Sequence, residues 1–167
     1  MAADSFCSSC GTAYADVTGY PRRCEACGSQ VWVNPAPVAV VLLPVVDGDR
    51  TGLLAIRRAI PPVGALTLVS GFVERHETWQ EAAAREMQEE TGVEIAPEAL
   101  RPLWFTSTAP DPVYVLLFAQ APAVKAEDLP PFVPNREVSE RKVIFDLSEN
   151  LAFPQHAQMA RDYFATL

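Results

Sequence analysis

Along the 167-residue chain, apolar positions fall into short runs divided by turn residues, and two stretches carry helical spacing. Val38-Ala-Val-Val-Leu-Leu43 and Leu53-Leu-Ala-Ile-Arg57 are β-branched or aliphatic runs on either side of Asp47-Gly-Asp49, which is turn chemistry, so they are predicted to pair as a hairpin. Leu66-Thr-Leu-Val69 leads into Ser70-Gly71, and further strands are expected at Leu103 to Thr106, Val113 to Ala119 and Lys142 to Phe145. Helices are expected from Thr78 to Thr91 and from Gln155 to Thr166. The first has a capping box in Thr78 and Glu81 and a stop at Gly92. The second has Pro154 at a tolerated position and an apolar side of Met159, Tyr163 and Phe164 that should pack on a sheet. The chain reads as mixed α/β, of the α+β kind.

The first 34 residues follow another pattern. Cys7-Ser-Ser-Cys10-Gly11 and Cys24-Glu-Ala-Cys27-Gly28 are two copies of one unit with 13 residues between them. Each pair can place two thiolates on one ion, and each following glycine permits the positive-φ turn that brings backbone close to sulfur. Four such ligands make a closed tetrahedral site, hence a structural Zn²⁺ in a zinc ribbon; two disulfides are the alternative. A segment this short and poor in apolar residues depends on its metal to fold. Asn34-Pro-Ala-Pro37 forces extended backbone and sets the boundary, giving a ribbon at 1–34 and one main domain at 35–167.

Charge narrows the function. A net charge of -8 argues against a groove for polymeric DNA or RNA and leaves a small anionic substrate whose charge a metal neutralises. No run approaches the ~20 apolar residues of a membrane span. The start, Met1-Ala-Ala-Asp-Ser5, has neither a basic nor an apolar stretch, so no membrane partner and a cytoplasmic location are expected. Reducing surroundings favour metal over disulfides for the cysteines.

At about 100° per residue, Trp79, Ala82, Ala83, Glu86, Glu89 and Glu90 share one stripe of the first helix. Three carboxylates at this spacing repel one another, and the helix C-terminus disfavours them further. Arg85 can relieve part of this through Glu81 or Glu89. A divalent cation would reverse the sign, and hard oxygen ligands with open positions suit Mg²⁺ or Mn²⁺. A solvated acidic helix end is the alternative from spacing alone.

The wider pattern decides between them. Gly71, Glu77, Arg85, Glu86, Met87, Glu89, Glu90, Gly92 and Val93 occupy nine fixed positions over 23 residues. They match the Nudix box, Gly-x5-Glu-x7-Arg-Glu-U-x-Glu-Glu-x-Gly-U with U aliphatic, so the chain resembles the Nudix hydrolase superfamily. The resemblance implies an α/β/α sandwich with a mixed sheet, and a magnesium-dependent pyrophosphohydrolase in which water attacks one phosphorus. By that resemblance Glu86, Glu89 and Glu90 are metal ligands, the Gly71 carbonyl a further one, and Arg85 orients the glutamates. Glu77 holds the loop or reaches metal through water. The general base is Glu86, or a later carboxylate at Glu137 or Glu140. A homodimer is also an expectation of the resemblance.

Substrate contacts are less sharply marked. One of Arg57 and Arg58, alternating on a strand, is expected to face the diphosphate. Trp104, Phe105 and Tyr114 are candidates for stacking on a ring, with core packing as the alternative. His76 and His156 read as structural or surface residues. A four-cysteine ribbon before a Nudix domain resembles the NADH pyrophosphatases and a set similar to FAD or ADP-sugar pyrophosphatases. Ser107-Thr-Ala-Pro-Asp-Pro112 departs from the first group's Ser-Gln-Pro-Trp-Pro-Phe-Pro, whereas Arg57-Arg-Ala-Ile60, Val113-Tyr-Val-Leu-Leu-Phe118 and Leu151-Ala-Phe-Pro154 look closer to the second. The expected substrate is a dinucleotide such as FAD or NADH, or ADP-ribose or an ADP-sugar. A catalytically silent nucleotide-binding regulator, or a module that holds a partner through the ribbon, is the alternative.

Overall fold

The repeated Cys-x-x-Cys-Gly units become two turns of one shape in the computed structural model, which describes residues 4–108 and 113–167. The Gly11 N–H donates to the Cys7 carbonyl and the Gly28 N–H to the Cys24 carbonyl, each at 2.8 Å, with φ of 75° and 73° at the glycines. After the first turn comes β1 (Arg22–Arg23), which pairs antiparallel with β2 (Gln30–Val31) beyond the second. The spacer between the turns has little core, and the buried Arg22 organises it instead. Its guanidinium donates to the Asp4, Val17 and Gly19 carbonyls at 2.6, 2.6 and 3.0 Å and lies 4.1 Å from the Tyr20 ring centre. These residues belong to one compact unit, Met1–Pro35, and the rest to another, Ala36–Leu167.

The second unit is built on two mixed sheets. Its strands are β3 (Ala36–Leu42), β4 (Pro44–Asp47), β5 (Arg50–Arg58), β6 (Leu66–Thr67), β7 (Val69–Phe72), β8 (Arg101–Ser107), β9 (Tyr114–Gln120), β10 (Val124–Lys125) and β11 (Val138–Ile144). Two helices, α1 (Trp79–Thr91) and α2 (Pro154–Phe164), complete it. One sheet has the order β7-β3-β9-β8, with β3 and β9 parallel; the other runs β10-β4-β5-β11, with β6 also on β5. Alternate residues of β3 and β5 face opposite ways, and both faces are covered. Ala39, Val41, Leu54 and Ile56 pack with Ala82, Ala83 and Met87 of α1. Val40, Leu42, Leu53 and Ala55 pack with Met159 and Ala160 of α2. Period-2 alternation on the strands and period-3.6 spacing on the helices thus meet in the expected α/β/α sandwich.

One pairing differs from expectation. Val38–Leu43 is not the hairpin partner of Leu53–Arg57; the hairpin joins β4 to β5, in register Asp47 with Arg50 and Pro44 with Leu53, around Gly48. The apolar run from Val38 to Val46 is long enough for two strands, and it divides before Pro44, which cannot donate to a ladder. β3 goes to the other sheet, and the Leu43 carbonyl, accepting from Leu54 N–H at 2.9 Å, marks the crossing. In the same way Leu66 to Val69 divides between β6 and β7.

The helix that carries the acidic box is fixed at both ends. Thr78 accepts from the Glu81 N–H at 3.2 Å, while the Glu81 carboxylate accepts from the Thr78 N–H at 2.6 Å. At the other end Gly92 takes the left-handed turn. α1 has no base in its last turn, and Arg141 of β11 supplies one, donating to the Thr91 and Pro130 carbonyls. Among the described residues no helix is long and apolar enough to cross a membrane. Thr78→Ala is expected to lower the unfolding free energy of this unit by about 1 kcal/mol, read as a shifted urea midpoint; an unchanged midpoint would mean that packing alone sets the helix start.

Candidate active site

The packed face of α1 is lined by small residues, Ala82 and Ala83, so the helix lies close against β3 and β7 and brings its last two turns to Ser70 and Gly71. The contact there is as tight as chemistry allows. A Cβ built on Gly71 would stand 1.9 Å from the carboxyl carbon of Glu86. Any side chain at this position displaces the carboxylate. Glu90, one turn on, is 5% exposed, and its Oε2 accepts from the Ser70 N–H at 3.2 Å. Burial, and then the charge of Glu86, pushes its pKa up to about 8. Burial also raises the pKa of Glu86. Glu89 is the exposed member, at the rim.

Arg85 holds these groups in place. It donates to Glu77 at 2.8 Å, to Glu86 at 2.7 Å and to Glu89 at 3.2 Å, and to the Phe72 carbonyl at 3.0 Å. Of its two expected relief partners, Glu89 is engaged, whereas Glu81 is taken up by the capping box. Glu77 also accepts from the Glu74 N–H at 2.7 Å and so ties the loop before the helix, its pKa held low chiefly by Arg85.

Of these, Arg85, Glu86, Glu89 and Glu90 line one cleft of about 990 Å³ that also includes Arg58, Phe72, Tyr114, Glu137 and His156, whereas Glu77 lies behind Arg85 and outside its lining. The donor set is carboxylate oxygen beside a backbone strand, which fits a hard divalent cation. Among the described residues, the four thiols alone already converge within 4.8 Å. The carboxylates stand wider, with the Arg85 guanidinium between Glu86 and Glu89.

Elsewhere the structure separates residues the sequence grouped. Arg57 is bound to Glu140 at 2.6 Å and to Glu149 at 2.6 Å, outside the cleft, and Arg58 is the one in its wall. Among the described residues Arg58 has no carboxylate partner; its guanidinium donates to the Pro61 carbonyl at 2.7 Å. The pair with Arg57 also takes Glu140 away from the cleft, leaving Glu137 there. Tyr114 meets Phe72 edge-on at 5.5 Å in the cleft wall, while Trp104 packs on Phe118 and the exposed Phe105 stands outside. His76 is exposed, with φ of 78°. Residues 109–112 of the Ser107–Pro112 segment lie outside the described residues.

Three cleft residues were not marked as site residues by the sequence, although Phe153 lies in the Leu151–Pro154 stretch. Asn135 bridges two elements: its Nδ2 donates to the Glu89 carbonyl at 2.9 Å, and its Oδ1 accepts from the Glu137 and Val138 N–H groups. Phe153 lies 5.6 Å from the Arg58 guanidinium carbon. His156, read as structural or surface, is buried in the cleft wall, and among the described residues its Nδ1 has no partner, a cost of about 1–3 kcal/mol.

In the first unit the thiols are free and close. Cys7 and Cys27 sulfurs are 3.8 Å apart, and Cys10 and Cys24 sulfurs 3.6 Å. A tetrahedron with bonds of about 2.3 Å has edges of about 3.8 Å, whereas a disulfide needs about 2.05 Å, so the cluster has metal-site geometry. The Ser29 hydroxyl lies 3.1 Å from Cys7 Sγ and 3.0 Å from Cys27 Sγ; it is the main cause that brings the Cys7 pKa down to about 5, favouring thiolate.

With fold and cleft in view, the affiliation is plain: the NUDIX domain family model matches residues 35–167, and the chain belongs to that family. A protein named NAD-capped RNA hydrolase NudC from Deinococcus radiodurans is 37% identical over 91 residues, 54% of this chain and 32% of that protein. Its namesake from Stutzerimonas stutzeri is 32% identical over 158 residues, 93% of this chain and 53% of that one. The chain therefore spans between about a third and about half of these relatives. Among solved structures, a NUDIX hydrolase from Nitrosomonas europaea aligns with a TM-score of 0.68 at 24% identity, over 96% of this chain and 90% of that one.

Two outcomes follow from the packing of this site. Gly71→Ala is expected to displace Glu86 and weaken Mg²⁺ binding at least about tenfold by calorimetry, since a misplaced ligand loses about 1.4 kcal/mol or more; unchanged affinity would remove Glu86 from the ion's shell. Glu90, with a folded pKa of about 8 against 4.5 unfolded, keeps its proton better when folded. Its contribution is complete below about pH 4.5 and is lost as pH rises toward 8, so in chelator the melting temperature falls across that window. Glu90→Gln should flatten the fall, and a variant that still shows it would assign the effect elsewhere.

Proposed function

We propose that the chain is a divalent-metal-dependent pyrophosphohydrolase acting on a nucleoside diphosphate linked to a second group, a dinucleotide such as FAD or NADH, or ADP-ribose or an ADP-sugar. The observation that carries this reading is the shared cleft, with Glu86 seated on Gly71, Glu90 buried beside Ser70, and Arg58 facing them without a carboxylate of its own. The names of the NudC relatives, which specify NAD-linked RNA, support the same bond class.

Glu86, Glu89 and Glu90 would hold Mg²⁺ or Mn²⁺, with the Gly71 carbonyl as a further ligand. Such an ion supplies an activated water and neutralises charge on the diphosphate oxygens. The chain's own residues do the rest. Arg85 holds Glu86 and Glu89 at the cleft and Glu77 behind them, and its guanidinium would give way between Glu86 and Glu89 as the carboxylates closed on a cation. Arg58 donates to a non-bridging oxygen of the diphosphate. Glu86, or Glu137 from the loop that Asn135 pins to the helix end, accepts the proton of the attacking water. In the first unit Cys7, Cys10, Cys24 and Cys27 would hold Zn²⁺ in a structural role, since four thiolates leave no position for a substrate.

The chain should be incubated with Mg²⁺ and FAD, NADH, ADP-ribose, diadenosine polyphosphates or NAD-capped RNA, with product masses recorded. Release of a nucleoside monophosphate from a dinucleotide or ADP-linked substrate is expected; turnover of nucleoside triphosphates alone would refute the reading. For the ribbon, a strong zinc chelator should abolish hydrogen-exchange protection within residues 4–35 while that of β3 and β9 survives. Retained protection in the first unit would rule out a folding role for metal there.

A further inference from the structure

Beyond the glutamates and Arg58, the cleft has a second end that hydrolysis itself does not use. The Ala152 N–H donates to the Leu66 carbonyl at 2.8 Å, which seats the start of α2 in the wall, and Phe153 and His156 line the cleft there. α2 begins without a side-chain cap, Phe153 standing at that position. The His156 ring meets Phe118 edge-on at 5.8 Å and Phe153 at 5.1 Å; the residue is 2% exposed, and among the described residues its Nδ1 has no hydrogen-bond partner. A site among aromatic and aliphatic neighbours that needed only bulk would be met by Phe or Leu. Here it keeps a polar atom dry, which is unfavourable unless something pairs with it.

The neighbouring charge indicates what that partner is. Arg58 lines the same cleft as Glu90 and His156, and its guanidinium carbon lies 5.6 Å from the Phe153 ring centre. A diphosphate held between the carboxylates and Arg58 would leave Phe153 and His156, in the same lining, for its attached group. Burial, and then the Arg58 charge, brings the His156 pKa down to about 3, so the ring is neutral at physiological pH and offers one donor and one acceptor. A neutral imidazole between apolar rings suits an uncharged amide or amino edge rather than another phosphate.

We propose that His156 determines specificity, its ring nitrogen hydrogen-bonding the polar edge of a planar heteroaromatic group attached to the diphosphate while Phe153 packs against that group. This rests on the cleft being a diphosphate site. The site reads the ring and not the sugar, and discriminates against a substrate that lacks the edge.

The full chain, labelled with ¹⁵N-histidine, is titrated with AMP, NMN, FMN and ribose 5-phosphate. At least one nucleotide should shift the His156 ring nitrogens, and ribose 5-phosphate should not. His156→Phe should weaken binding of that nucleotide about tenfold by calorimetry, and His156→Asn, which keeps a donor and an acceptor, should lose clearly less. A His156 resonance unmoved by all three nucleotides, or a His156→Phe chain that binds as tightly as the original, overturns the inference. If His156→Phe does not fold, the titration of the unaltered chain and the Asn variant decide. None of these readouts requires turnover. An active hydrolase with an unmoved His156 defeats this inference alone, and a moved His156 in a chain without turnover defeats the hydrolase reading alone.

Discussion

Like charge crowded at the wrong end of a helix is the constraint from which this architecture follows. Glu86, Glu89 and Glu90 fall on the last turns of α1, where the helix field opposes them, and two of the three are shielded from water. The fold answers with two arginines. Arg85 neutralises the carboxylates from within the helix, and Arg141 reaches from β11 to the Thr91 carbonyl at its end. Neither cancels the excess, since Glu90 retains a carboxyl that favours its proton near neutrality. The residual misfit is what the proposed divalent cation would relieve.

Much of this was legible because the signals are local. The capping box needs only Thr78 and Glu81, three residues apart, and the thiol cluster only two repeated turns. The helix stripe follows from a single period. What stayed hidden depended on residues far apart in the chain. Arg57 and Arg58 are indistinguishable as neighbours on a strand; Glu149, 92 positions away, is what withdraws Arg57 and leaves Arg58 to the cleft. His156 carries no motif, and its meaning comes from Phe118, which only the sandwich brings against it and its helix neighbour Phe153.

The hairpin shows a different kind of blindness. A continuous apolar run records burial, not the sheet that a residue enters, so Val38 to Val46 concealed a crossing between two sheets. Proline at 44 was visible, but its role as a divider depended on both faces being covered. The two units also differ in what holds them. Ala36–Leu167 is maintained by apolar packing on both sides of its strands, whereas Met1–Pro35 relies on sulfur geometry and on one arginine gathering carbonyls.

The contact between Gly71 and Glu86 separates what can vary in this cleft from what cannot. A position that excludes every Cβ offers no side chain through which one wall could be adjusted. Changes of preference must therefore arise elsewhere in the lining, where Tyr114 and the start of α2 present replaceable side chains. The cleft is in this sense half die and half movable type, and redesign for a new ligand has one bank on which to work.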